Sequence, residues 1–186
     1  RPRMSREASR PGRAALAGAM GVVVLFGLVS LFADMVYEGG RSIYGPFLAS
    51  LGASALVVGI VTGAGEGLAL ALRLVAGPLA DRTGAYWRLT FLGYAATAVC
   101  VPLLAVAPAL GSAGLVVAVL LIWAERAAKA LRSPAKSALL AEAAREVGRG
   151  KGIAVHKALD QLGAFAGPLV VAAIVAAWGS TRWGLA

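Results

Sequence analysis

Long parts of this sequence carry no charge at all. Residues 14–33, 42–65, 89–124 and 161–181 contain no Asp, Glu, Lys or Arg. Cysteine and histidine are nearly missing too, with Cys100 and His156 the only examples in 186 residues. One thiol closes no intrachain disulfide, and one thiol with one imidazole builds no metal site. The histidine has no Ser or Cys nucleophile set to work with it, and no phosphate-loop signature is present. Gly63-x-Gly65-x-Gly67 lies in too apolar a setting to cradle a nucleotide. These absences imply no cofactor, no metal and no enzyme.

What is present is apolar. Hydrophobic residues make up 59% of the chain and charged residues 15%, and the mean hydropathy is +0.78. A soluble domain of this size would leave large sticky patches on its surface. A bilayer-crossing helix needs about 20 mostly apolar residues, and each uncharged stretch meets that need. Residues 89–124 are long enough for two crossings joined by a turn.

The net charge of +9 would suggest nucleic acid in a soluble protein. Its placement excludes that partner here. Five arginines lie in the first thirteen residues, Arg82 and Arg88 follow the second apolar stretch, and Arg132, Lys136, Arg145, Arg149, Lys151 and Lys157 follow the fourth. The opposite connections, near 51–55 and 107–113, carry no charge. This alternation follows the positive-inside rule. It puts the N-terminus and the basic connections in the cytoplasm of a multi-pass protein of the cell membrane.

Residues 1–13 read as a basic cytoplasmic tail, with Met4 a candidate start, and residues 14–186 as a transmembrane bundle. The first span begins at Ala14 or Gly18 and runs toward Tyr37, then bends at Gly39-Gly40 and continues to Ser50. The second covers Ser54 to Ala80. The third covers Trp87 to Val106, with a kink at Pro102. The fourth runs from Ser112 to about Arg132 and bends at Ser133-Pro134, because a residue before proline disfavours helix. Residues 135–154 read as a separate cytoplasmic helix and turn. The fifth span is His156 to Trp178. A turn on the outer side follows, and a sixth span is expected after Trp183. Trp178 and Trp183 suit the interfacial belt, as do Tyr86 and Trp87. The glycine ridge Gly59, Gly63, Gly67 predicts a tight helix contact.

Ionisable residues inside a bilayer are expensive and face a cavity or a partner. Asp34 and Glu38 share a helix face, and Arg41 is within reach of Glu38. Glu66 and Arg73 share a face of the second span, with Arg73 the more structural. Glu125, Arg126 and Lys129 load the fourth. Three spans each offer acid and base together, either as a polar path or as structural ion pairs. Asp34, Glu38, Glu66 and Arg126 are the expected core of the path, with Arg41 and Lys129 beside them. His156 stands four residues before Asp160 and reads as a titrating partner or as a loop anchor.

Gly77-Pro78-Leu79-Ala80-Asp81-Arg82-Thr83-Gly84, between two apolar spans, resembles the loop between the second and third helices of the major facilitator superfamily. The match rests on Gly77, Leu79, Ala80, Asp81, Arg82 and Gly84. The basic residues that usually follow the last glycine are replaced by Ala85-Tyr86-Trp87, which weakens the charge cluster. Gly163-x-x-x-Gly167-Pro168 resembles a motif of the family's antiporter branch, and reads equally as a small-residue packing face. Arg126 sits where the family often places a basic residue associated with proton coupling. Asp34-x-x-x-Glu38, Arg132-x-Pro134-x-x-x-Ala138-Leu139 and His156-Lys157-Ala158-Leu159-Asp160 resemble a subgroup known mostly as bacterial permeases.

The resemblance implies an all-α membrane protein, an MFS-type helical bundle with about five of twelve expected helices present. It implies alternating-access transport of a small solute, with proton-coupled efflux, in the lipid bilayer and together with a C-terminal half. Asp81, Arg82 and the glycines Gly77 and Gly84 would form a cytoplasmic gating loop. A non-transporting receptor or scaffold with the same fold is the alternative.

Overall fold

A computed structural model describes residues 13–185. Of the tail expected over residues 1–13, residues 1–12, with Met4, lie outside the described residues, and Arg13 already belongs to a helix. The described chain is helical. Five helices are long and apolar enough to cross a membrane: α1 (Arg13–Ser50), α2 (Ala55–Thr83), α3 (Tyr86–Leu104), α4 (Gly114–Ala143) and α5 (Arg149–Trp178). A 3₁₀ segment, Ala107–Ala113, leads into α4, and a short α6 (Thr181–Leu185) follows α5.

Helix α1 continues past Gly39-Gly40 and through Pro46 to Ser50. One expected interruption is absent: Pro134 does not end the fourth span, and α4 passes through Ser133-Pro134 to Ala143. The separate cytoplasmic helix therefore does not exist. Its first half is the end of α4, and its last residues open α5 at Arg149 rather than His156. Proline inside a membrane helix is tolerated where neighbouring groups re-satisfy the freed backbone. At 1.5 Å per residue α1 is about 57 Å long and α4 about 45 Å, against a hydrocarbon core of about 30 Å. These helices therefore extend beyond the hydrocarbon as helices.

Helix ends obey local chemistry. Ser54 caps α2, its hydroxyl accepting from the Val57 N–H at 3.3 Å. Gly84 closes α2 in the left-handed region (φ 63°), and its N–H bonds the Ala80 carbonyl.

Helix α1 packs most extensively on α5, and α4 on α3 and α2. The apolar core lies in two pieces. The larger joins Tyr44, Phe47 and Leu48 of α1 to Val61, Val101, Leu104 and Ile122. The smaller joins Val23 to Leu140 and Ala144. Between these clusters the buried residues include Ser30 and Asp34 on α1 and Glu125, Arg126 and Arg132 on α4. Many large apolar side chains face outward, among them Leu25, Leu74, Phe91 and Leu169, as a lipid-facing surface requires.

The expected glycine ridge does not pack within the described residues. A Cβ on Gly59, Gly63 or Gly67 would meet nothing within 4 Å. The buried line of α2 runs instead through Val61, Gly65 and Ala69. A Cβ on Gly65 would stand 2.8 Å from Arg126 Cδ, so this glycine makes room for the arginine.

Candidate polar site between the helices

Helix periodicity aligns Ser30, Asp34, Glu38 and Arg41 down α1, and Arg126, Lys129, Arg132 and Lys136 down α4. The two rows meet. Lys129 Nζ stands 3.5 Å from Asp34 Oδ1 and 3.6 Å from Glu38 Oε1. It also sits 3.1 Å from the centre of the Tyr37 ring, a cation–π contact. Arg132 reaches Asp34 at 4.0 Å, and its guanidinium lies 4.1 Å from the Tyr94 ring centre. Glu38 also approaches Arg41, at 3.6 Å.

Helix α2 adds Glu66. Its Oε1 accepts from Arg41 Nη2 at 2.9 Å and from Arg126 Nη1. The result is one chain of alternating sign: Arg126, Glu66, Arg41, Glu38, Lys129, Asp34, Arg132. It crosses α4, α2 and α1 in turn. All six expected path residues belong to it. Arg73 does not: it is exposed and makes no ion pair among the described residues.

Beside the chain lies Glu125, fully buried. Its Oε1 accepts from the Thr97 hydroxyl at 3.2 Å, and Arg132 Nη1 also reaches that hydroxyl, at 3.5 Å. The second carboxylate oxygen has no partner. A buried polar atom without a partner is costly, and among the described residues Glu125 is the acid that carries one.

At the end nearer the basic connections a second polar knot follows. Lys136 Nζ donates to Ser30 Oγ at 2.8 Å and to Asp160 Oδ1 at 3.4 Å. Lys157 holds the other Asp160 oxygen at 2.7 Å. Ser30 and Tyr94 share a hydrogen bond of 2.9 Å. The sequence reading placed Arg132 and Lys136 in or beside a cytoplasmic loop. They are instead α4 side chains turned into the bundle, Arg132 almost fully buried. Their signal was the unbroken three- and four-residue spacing from Arg126, which a break at Pro134 conceals. His156 lies two turns inside α5 rather than at a helix start. It is buried, its Nε2 is 4.0 Å from Asp160 Oδ1, and neither ring nitrogen has a hydrogen-bond partner.

The Gly77–Gly84 motif forms the end of α2, not a loop: only Gly84 and Ala85 stand between α2 and α3. Asp81 is exposed and accepts from the Tyr86 hydroxyl at 3.0 Å. Neither Asp81 nor Arg82 makes an ion pair among the described residues. The Gly163 and Gly167 pair is a close contact with α1. A Cβ on Gly163 would run into the Leu31 carbonyl, and one on Gly167 into the Met35 carbonyl. Pro168 follows inside α5 without ending it.

Beside the Arg126 end of the chain is a cleft of ≈ 360 Å³ lined by Arg41, Tyr44, Gly45, Thr62, Gly63, Glu66 and Arg126.

Comparison with known proteins agrees with this architecture. The sequence profile of the Major Facilitator Superfamily matches residues 26–186. Curated relatives from Mycobacterium tuberculosis and Mycobacterium bovis, each carried as an uncharacterized protein, are 58% identical over 158 residues, which is 85% of this chain. The chain spans 37% of the length of these relatives. No solved structure matches it.

Proposed function

Because this chain belongs to the Major Facilitator Superfamily of transporters, we propose that it serves a twelve-helix carrier as its N-terminal helices. The carrier moves a small solute by rocking two halves about a midplane site. The second half and the bilayer are its partners. The N-terminus lies in the cytoplasm and the protein in the cell membrane, as the charge alternation of its connections indicates. The coupling ion is the proton and the direction is efflux.

The observation that carries this reading is the chain of seven alternating charges from Arg126 to Arg132, inside spans and next to an open cleft. A bundle that needed only stability would fill that space with apolar residues, since a buried ion pair rarely outperforms them. Each carboxylate in the chain is shared between two bases, so its partners can be exchanged at low cost. Glu66 serves Arg41 and Arg126, Glu38 serves Arg41 and Lys129, and Asp34 serves Lys129 and Arg132. A proton has a place at the unpartnered oxygen of Glu125. The exposed Asp81 and Arg82, at the end of α2, are free to meet the other half at the cytoplasmic gate.

The test is flux. The full-length protein in liposomes, under an imposed pH gradient, is offered radiolabelled small anions, cations and neutral solutes. We expect one class to move faster than in protein-free liposomes, with a rate set by the gradient. Folded protein that moves none of them would refute the transport reading, and movement indifferent to the gradient would refute the proton as coupling ion.

A further inference from the structure

The cleft at the Arg126 end has more donors than acceptors. Two guanidiniums line it, offering ten N–H groups between them, with the Tyr44 hydroxyl beside them; the Thr62 hydroxyl donates to the Val58 carbonyl of its own helix. One carboxylate, Glu66, faces this set. Both arginines meet the same oxygen of it, Oε1, so neither guanidinium has its two-pronged fork filled by that carboxylate. Arg126 is 2% exposed and its Nε–H has no partner, and the buried Tyr44 hydroxyl has none either. An unpaired buried donor is costly, and the two residues that carry these donors line an open space of ≈ 360 Å³.

The rest of the charge chain does not supply the missing acceptor. It begins and ends on an arginine, four cations to three carboxylates. The remaining acid, Glu125, is hydrogen-bonded through Thr97 at the Arg132 end. At the cleft itself two guanidiniums face the single carboxylate of Glu66. Glu66 itself is not locked in place, its side chain being 46% exposed.

We propose that this cleft binds a small organic or inorganic anion, whose carboxylate or phosphate group takes the Arg41–Arg126 pair from Glu66. This rests on the transport reading only for its purpose: the anion would be the solute carried. Glu66 is the resident competitor. It holds the two arginines together in the empty cleft and swings into the open space when the anion enters. Arg126 supplies the buried fork, Arg41 the second guanidinium, and Tyr44 a neutral donor that an anion can use.

The competition gives the proposal an unusual sign. Replacing an acid in a binding site usually weakens binding. Here Glu66→Gln removes the competitor and should tighten anion binding by about tenfold. Arg126→Lys keeps the charge but loses the fork, and should weaken it by about tenfold. The measurement is isothermal titration calorimetry on the full-length protein in detergent, with succinate and inorganic phosphate as the two anions and tetraethylammonium as the cation. Melting curves of each variant verify that it is folded. Binding of succinate alone would assign a carboxylate, and of phosphate alone a phosphoryl group, and either supports the site. Anion affinity unchanged or reduced in folded Glu66→Gln would overturn it, as would binding of tetraethylammonium in preference to both anions, or no anion binding by wild type and variant.

Flux in liposomes separates this from the transport reading. Tight anion binding with no flux of any solute would leave the site standing and remove the carrier. Flux of a cation or neutral solute without anion binding would do the reverse.

Discussion

Helix α1 has two faces that are held in opposite ways. Toward α5 it meets glycine: Gly163 and Gly167 lie against the Leu31 and Met35 carbonyls, and Gly39 against the Gly167 backbone at 3.2 Å from its would-be Cβ. Toward α4 and α2 it meets charge, through Asp34, Glu38 and Arg41. In lipid, helices associate through close packing and polar contacts rather than through hydrophobic expulsion. The glycine face uses the first device. Its contacts are short-range and vanish with a small separation, so any parting of α1 and α5 would forfeit them. The charged face uses the second. Its partners are shared and exchangeable, and long side chains can follow a shift of several tenths of an ångström. A close-packed pair beside a rearrangeable seam suits the carrier half proposed above, which would have to keep its shape while its cavity changes.

The sharpest way to break the comparison is to attack the glycine face. Gly167→Val places a branched side chain against the Met35 carbonyl and the Gly39 backbone. Neither is a flexible side-chain end, so α1 and α5 must separate. The expected loss is about 3 kcal/mol, at the upper end for overpacking, seen as a collapse of the monodisperse fraction in detergent. A variant that purifies and melts like wild type would show that the two helices are not in contact as described.

Attacking the seam should spare the fold and stop the function. Lys129→Met removes the base shared by Asp34 and Glu38. Asp34 keeps Arg132 and Glu38 keeps Arg41, so melting should fall by less than in Gly167→Val, while flux falls at least about tenfold, because each carboxylate is left with one cation and nothing to exchange it for. Pairing it with Asp34→Asn sharpens the point. The two changes should couple by about 0.5–3 kcal/mol, as contacting residues do, and flux should not fall further in the double variant than in the worse single one. Additive losses would mean that Asp34 and Lys129 act apart.

Much of this seam was legible in the sequence. Acid and base at three- and four-residue spacing inside apolar spans located Asp34, Glu38, Arg41, Glu66, Arg126 and Lys129, because charge in a membrane demands a partner. What stayed hidden had one main cause. Taking Ser133-Pro134 as a helix end cut the row on α4 in half and sent Arg132 and Lys136 to a loop. Proline inside a helix removes one hydrogen bond and crowds a carbonyl, but in a membrane bundle neighbouring groups can re-satisfy the freed backbone. Inside a packed bundle the helix ran on, and with it the row. The glycine ridge on α2 failed differently. Four-residue spacing marks a smooth stripe but not what covers it, and the stripe that packs on α4 is the one through Gly65. Glycine at Gly163 and Gly167 was readable as close packing, yet its partner carbonyls on α1 come only from the fold.

At the end of α2, Asp81 belongs to neither face. It is exposed, and among the described residues its side chain is hydrogen-bonded to Tyr86. Asp81→Asn should therefore leave insertion and melting unchanged within about 0.5 kcal/mol, as for a surface change, and yet cripple flux in the full-length protein. Tyr86→Phe, which removes only the hydrogen bond, should leave flux near wild type. Equal damage from both would make Asp81 a local brace for the α2–α3 turn rather than part of a gate.

The smallest effect is expected at Gly63. Its Cβ position is open, and alanine is the better helix former by up to about 1 kcal/mol in water. In a bilayer the chain stays helical when the bundle opens, so even that gain should shrink. Gly63→Ala should then move the melting midpoint by less than about 2 °C, the range of a change of a few tenths of a kcal/mol in a domain of this size. Gly63→Leu extends the test, since a long side chain on an open ridge also has room. Loss of folded full-length protein with leucine, alongside tolerance of alanine, would mean that another part of the protein lies over this ridge at helix-contact distance. The glycine face of α1 and the stripe of α2 would then be two uses of the same device, one within the described bundle and one at its border.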